Sequence, residues 1–135
     1  MAAPWTLDML QRIGAAHELE IASRRADGTL RRWVPIWVVS AGGQVYVRTW
    51  YRRDTGWFGH VVASRRARIR VPGLEADVAV EDVGEGFGEG AGESAAEVRA
   101  SIDDAYRAKY GPHGGTERMV TDEAAAATLR LSPET

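Results

Sequence analysis

The chain contains no cysteine, which excludes disulfide staples, thiolate metal centres and a cysteine nucleophile together. Long hydrophobic runs are missing too. The longest, residues 33–39, falls far short of the roughly 20 residues a membrane-spanning helix needs. The opening Met1-Ala2-Ala3-Pro4-Trp5 has neither a basic region nor an apolar stretch of secretory type, so a cytoplasmic location is expected. Signatures of self-sufficient catalysis are equally scarce. No Gly-x-Ser-x-Gly elbow supports a triad assembled from Ser23, His60 and Asp54. His17, His60 and His113 show no paired spacing, and no metal is expected. Residues 84–92 alternate glycine with other residues but carry Glu85 and Glu89 and no lysine, so they are not a phosphate loop.

Lysine is nearly absent, with Lys109 the single example; the cationic charge is arginine, which is permanently ionised and can grip an oxyanion with two parallel hydrogen bonds. The net charge of −2 conceals a division. Residues 1–70 hold twelve Arg against five acids, whereas residues 71–135 hold five basic residues against fourteen acids. A chain of 135 residues fits one domain, 1–135. Such a domain buries roughly two-thirds of its unfolded surface, enough for a core without staples.

Periodicity places the elements. Thr6 caps a helix through Leu7, Leu10 and Ile13, which Gly14 ends. From Glu18 the apolar positions alternate, giving a strand that turns at Ala26-Asp27-Gly28. The return strand begins near Leu30 and continues to Val39; Pro35 cannot donate to a ladder, so the strand lies at an edge or a bulge there. A third strand covers 45–50, and a short helix covers 57–63. A hairpin around Pro72-Gly73 joins 67–71 to 76–83. The stretch 84–93 reads as a flexible Gly/Glu-rich linker. A helix opens with a Ser94–Glu97 capping box, Thr121 caps an Ala-rich turn, and 127–131 closes the chain as a strand. This order gives a mainly β domain with flanking helices (α+β), a small antiparallel barrel rather than a parallel α/β sheet.

The segments Ser23-Arg24-Arg25-Ala26-Asp27-Gly28-Thr29-Leu30-Arg31-Arg32, Tyr46-Val47-Arg48, Arg53-Asp54-Thr55-Gly56-Trp57 and Asp104-Ala105-Tyr106-Arg107-Ala108-Lys109-Tyr110 resemble an uncharacterised bacterial family. In layout that family is similar to the flavin-binding split barrels, including the pyridoxamine-phosphate-oxidase-like and deazaflavin-dependent nitroreductase-like proteins. The resemblance implies a split β-barrel, a homodimer, and FMN or the deazaflavin coenzyme held in a groove between subunits. Gly28, Arg31 or Arg32, and Pro35 look like the counterpart of a stretch that lies against the cofactor in such proteins. Their Lys-Gly pair before the helix is missing, and Tyr51, Arg52 and Arg53 stand there instead.

The candidate site follows. Arg32, Arg48, Arg52 and Arg53 are expected to hold phosphate or carboxylate groups of an anionic small molecule, since a strand-to-helix junction offers free N–H groups to an anion. Trp50 and Trp57 are expected to flank a planar ring. The alternatives are a solvated basic loop paired with the acidic half, and aromatics that serve the core or a dimer interface. His60, on the short helix near these arginines, is a candidate proton donor. The acidic overall balance and the sequence pI of about 5.9 weigh against nucleic acid. Function therefore reads as small-molecule binding, with a flavin- or deazaflavin-dependent oxidoreductase set beside a non-catalytic module for an anionic metabolite.

Overall fold

The computed structural model describes residues 4–49, 56–87, 92–111 and 116–134. Helix α1 spans Leu7–Ala15, and the hydroxyl of Thr6 accepts the amide of Met9 at 3.2 Å, as the capping signal requires. Strands β1 (Leu19–Ala22), β2 (Val34–Ile36), β3 (Val38–Ala41) and β4 (Gln44–Arg48) follow. Helix α2 (Gly56–Ser64) leads into the hairpin of β5 (Arg66–Val71) and β6 (Leu74–Asp82). Helix α3 (Glu93–Tyr110), the short α4 (Asp122–Ala126) and β7 (Thr128–Pro133) complete the described elements, with 3-10 turns at Gly84–Phe87 and Thr116–Met119.

The sheet order is β2-β1-β5-β6-β7-β4-β3, with every pairing antiparallel. Its two edges, β2 and β3, are consecutive in the chain and separated only by Trp37. The edges of a flat seven-stranded sheet would lie about 29 Å apart, at ~4.8 Å per strand. One residue reaches only ~3.5 Å. The sheet must therefore roll up until its edges meet, and the molecule is a split β-barrel. The single strand expected through residues 30–39 is thus two, one on each side of the seam. Pro35 lies exposed on edge strand β2, where its missing N–H costs nothing. At the break, the amide of Val38 donates to the hydroxyl of Tyr110 at 3.0 Å, and the Trp37 ring stacks on Tyr110 at 4.1 Å.

Alternation along the strands sorts the side chains into two cores. Val45 and Val47, Ala67 and Ile69, Val78 and Val80, and Leu129 and Leu131 point into the barrel with Phe58 and Val61 of α2. The opposite face of β3 and β4 offers Val39 and Tyr46 to Ile102, Tyr106 and Tyr110 of α3, which covers the barrel from outside. On the outer face of β5, arginines meet carboxylates of the neighbouring strands, from both halves of the chain. Arg68 pairs with Glu75 at 2.7 Å and Asp77 at 3.0 Å, and Arg70 with Glu20 at 2.9 Å.

Three other expectations change. Helix α1 runs through Gly14 and ends at Ala15. Helix α3 starts one residue early, with Gly92 as an N-cap that makes no side-chain hydrogen bond, so Ser94 lies inside the first turn. Gly84–Phe87, the start of the glycine-rich stretch, forms a 3-10 turn in which Gly84 is buried; residues 88–91 lie outside the described residues.

Candidate anion-binding site

The arm joining β1 to β2 is held by its own backbone. Arg25 N donates to Thr29 O at 2.8 Å, and Arg31 N to Ser23 O at 2.8 Å. Gly28 sits at φ 88°, a left-handed conformation that glycine adopts without steric cost. The Asp27 carboxylate accepts the Thr29 hydroxyl at 2.6 Å and its amide at 3.0 Å. Those bonds, the hydroxyl's foremost, hold its pKa below the ordinary carboxylate value. This closed turn aims Arg24, Arg25 and Arg31 toward the end of α2.

That helix terminates through Arg65, whose amide donates to Val61 O at 2.8 Å while the residue takes φ 60°. A left-handed residue just past the last turn is the usual helix exit, although glycine normally fills it. The exit turns the chain into β5 and places Arg66 beside His60 and Ser64 of α2. The result is an open cleft of about 470 Å3 whose polar lining is Arg24, Arg25, Arg31, His60, Ser64 and Arg66.

The partners of these cations differ. Arg24 pairs with Asp77 at 3.1 Å, and Arg66 makes a two-pronged contact with Glu134 at 2.8 and 3.0 Å. Among the described residues, Arg25 and Arg31 donate only to neutral oxygens. Arg25 Nη1 reaches Leu30 O at 2.8 Å and the Thr29 hydroxyl at 3.4 Å; Arg31 Nη1 reaches Arg24 O at 2.8 Å and the Ser23 hydroxyl at 3.3 Å. Neither makes an ion pair with a carboxylate among the described residues. The cleft thus holds two guanidiniums outside ion-pair contact, with Asp27 close enough to Arg25 to act on it electrostatically, and an oxyanion could take up their remaining donors.

The residues singled out from sequence are dispersed. Arg32 is exposed just beyond the arm. Trp57, on α2, is half-buried against the barrel core and lies edge-on to Phe58 at 5.5 Å. Trp50, Arg52 and Arg53 lie outside the described residues. Arg48 is buried on the outward face of β4 beneath α3. Its Nη1 donates to Asp103 Oδ1 at 2.5 Å and Met119 O at 2.7 Å, and its Nε to Thr128 Oγ1 at 2.8 Å. Asp103 is also approached by Arg99 at 3.5 Å, which pairs with Asp122 at 2.8 Å. Arg48 Nη2 and the Tyr106 hydroxyl are buried without a hydrogen-bond partner among the described residues.

His60 does line the cleft, as does Arg31, which the family resemblance pointed to. Arg24, Arg25 and Arg66 were missed. The signal for Arg24 and Arg25 was the Asp27-Gly28 turn, which folds its arginine-rich flanks onto one another; Arg66 on β5 carried no such signal.

Nothing lining the cleft is Trp, Tyr or Phe among the described residues. The donor set therefore fits the phosphate of a flavin-type cofactor and supplies no platform for its ring. No described cluster of three or more His, Asp or Glu could hold a metal ion, and no described helix is long and apolar enough to cross a membrane.

A seven-stranded antiparallel barrel split at Trp37, with a helix over its outer face, is the split-barrel fold. Residues 9–131 match the family described as "Uncharacterized protein conserved in bacteria (DUF2255)", and the chain belongs to that family. No curated protein matches it. Among solved structures, a FAD-binding protein from Mesorhizobium loti is similar with a TM-score of 0.58 at 13% identity, over 100% of this chain and 94% of that one. An F420 reductase gives 0.54 at 16% identity, over 98% of this chain and 97% of that one. A conserved hypothetical protein from Mycobacterium tuberculosis gives 0.58 at 11% identity, over 99% and 83%. At these identities the likeness shows the fold.

Proposed function

We propose that this protein binds a phosphorylated flavin- or deazaflavin-type cofactor as a homodimer and acts as an oxidoreductase, with the cofactor's phosphate in the arginine cleft. One observation carries the reading: Arg25 and Arg31 line that cleft without an ion-pair contact to a carboxylate among the described residues. The neighbours named FAD-binding protein and F420 reductase support the cofactor class. Arg25, Arg31 and Arg66 would hold the phosphate. His60 stands where it could pass a proton to a bound anion. The cofactor would supply hydride chemistry, and the protein its orientation. Trp57 and Trp50 remain the proposed ring neighbours, with Arg32, Arg52 and Arg53 as further phosphate ligands. Arg48, held by Asp103, Met119 and Thr128 beneath α3, takes an architectural role in this reading.

A second reading is a non-catalytic module for an anionic metabolite. It is favoured by the lack of a Trp, Tyr or Phe in the described lining. Titration with FMN and with the deazaflavin coenzyme, followed by fluorescence, separates the two. Binding that weakens at least about tenfold in Arg25→Ala/Arg31→Ala supports the first, since a sheltered charge-assisted hydrogen bond contributes about 1.5–3 kcal/mol. A parallel Arg52→Ala/Arg53→Ala variant assigns those residues by the same criterion. Indifference to both cofactors, with thermal stabilisation by other anions, supports the second.

A further inference from the structure

Glu134 enters the cleft's chemistry from the far end of the chain. Its two carboxylate oxygens accept from Nε and Nη2 of Arg66 at 2.8 and 3.0 Å. This is the parallel two-pronged geometry in which a guanidinium takes any planar pair of anionic oxygens. Glu134 is positioned by a backbone hydrogen bond to Asp77 O at 3.1 Å, and the Asp77 carboxylate pairs with Arg24. Among the described residues, the two carboxylates in ion-pair contact with the cleft's arginines therefore come from one place, where the end of β7 meets β6. Glu134 itself is not part of the lining. It occupies donors on the cleft wall and leaves the space in front of Arg25 and Arg31 open.

Building on the proposed anion site, we propose that Glu134 is an internal competitor for the ligand's anionic group, holding Arg66 until a terminal phosphate displaces it. The ligand class follows from the exchange. A monoanionic carboxylate already satisfies Arg66, and an incoming carboxylate would gain little by replacing it. A terminal phosphate brings up to two charges and three acceptor oxygens, so it can engage Arg66 and still offer oxygens toward Arg25 and Arg31 on the same cleft wall. The displaced pair is exposed, with Arg66 62% and Glu134 25% accessible. Breaking it is correspondingly cheap. The competitor tunes affinity without blocking the site.

The test uses the whole chain with inorganic pyrophosphate as probe, by calorimetry. Glu134→Gln keeps the side-chain shape and removes the charge; it should tighten pyrophosphate binding about two- to fivefold, the range of an exposed ion pair. Glu75→Gln, which removes a charge paired with Arg68 outside the cleft, is the control for the general field and should change affinity by less than about 1.5-fold. Equal tightening in both variants, or none in Glu134→Gln, overturns the competitor while leaving the anion site standing. Acetate binding as tightly as pyrophosphate overturns the phosphate class. If Arg25→Ala/Arg31→Ala binds pyrophosphate like the parent, or no variant binds it, the anion site and the competitor fall together.

Discussion

Arg48 and Asp103 meet between the barrel and α3, where the Arg48 side chain is fully buried and that of Asp103 is 12% exposed. Removing one partner of such a pair strands the other's charge away from water, at a cost of about 3–5 kcal/mol. Arg48→Ala should therefore lower unfolding free energy in urea by that amount. Arg48→Met/Asp103→Leu, which removes both charges and keeps the volume, should cost much less. Equal losses in the two variants would contradict the account. Lys109 and Tyr110 set the alkaline behaviour. Burial lowers the Lys109 pKa from 10.5 to about 8, so between those values the unfolded chain holds a proton that the folded chain has lost. Stability from this group rises with pH across that window. Tyr110 runs the other way: burial pushes it up from 10 to about 12, and its contribution, full below pH 10, is lost as pH climbs through 12. Stability followed by chemical denaturation should pass through a maximum near pH 10 as far as these two groups determine it. Lys109→Met should flatten the rising limb.

At the scale of elements, the exits and close approaches are the sensitive points. Gly84 lies against the backbone before β7, and a Cβ there would sit 2.2 Å from Ala126 O. Backbone cannot step aside cheaply, so Gly84→Ala should cost about 1–3 kcal/mol of thermal stability. Arg65 takes φ 60° at the end of α2. Arg65→Gly should relieve that conformation and stabilise the fold by about 0.5–1 kcal/mol, measured by the urea midpoint. Most elements were legible because each signal was local: the Thr6 cap, the Asp27-Gly28 turn, the Pro72-Gly73 hairpin, the alternation of β5. What local signals could not show was the break at Trp37. Residues 34–39 read as one apolar strand, and only closure of the barrel, with Tyr110 of α3 meeting Val38, divides it between two edges. The Ser94–Glu97 box failed similarly, because Gly92 supplies the extended residue at which α3 starts.

For the molecule as a whole, seven of the twelve arginines in the first seventy residues fall into three populations. Arg68 and Arg70 pair across the outer sheet; Arg48 clasps α3 to the barrel. Arg24, Arg25, Arg31 and Arg66 converge on one cleft. Clustering of charge was visible in the sequence, but the placement of several arginines depends on contacts across more than fifty residues, such as Arg24 with Asp77 and Arg66 with Glu134. Arg48 was the costliest to misjudge from sequence alone, since its outward position on β4 gives no hint that α3 covers it. The central claim is that the cleft, and not the outer ladder, receives an anion. Arginine side-chain Nε resonances followed by NMR during addition of pyrophosphate test it most directly. The account predicts saturable shifts at Arg25, Arg31 and Arg66 with Arg68 and Arg70 unmoved; shifts confined to Arg68 and Arg70, or spread evenly over every arginine, would contradict it.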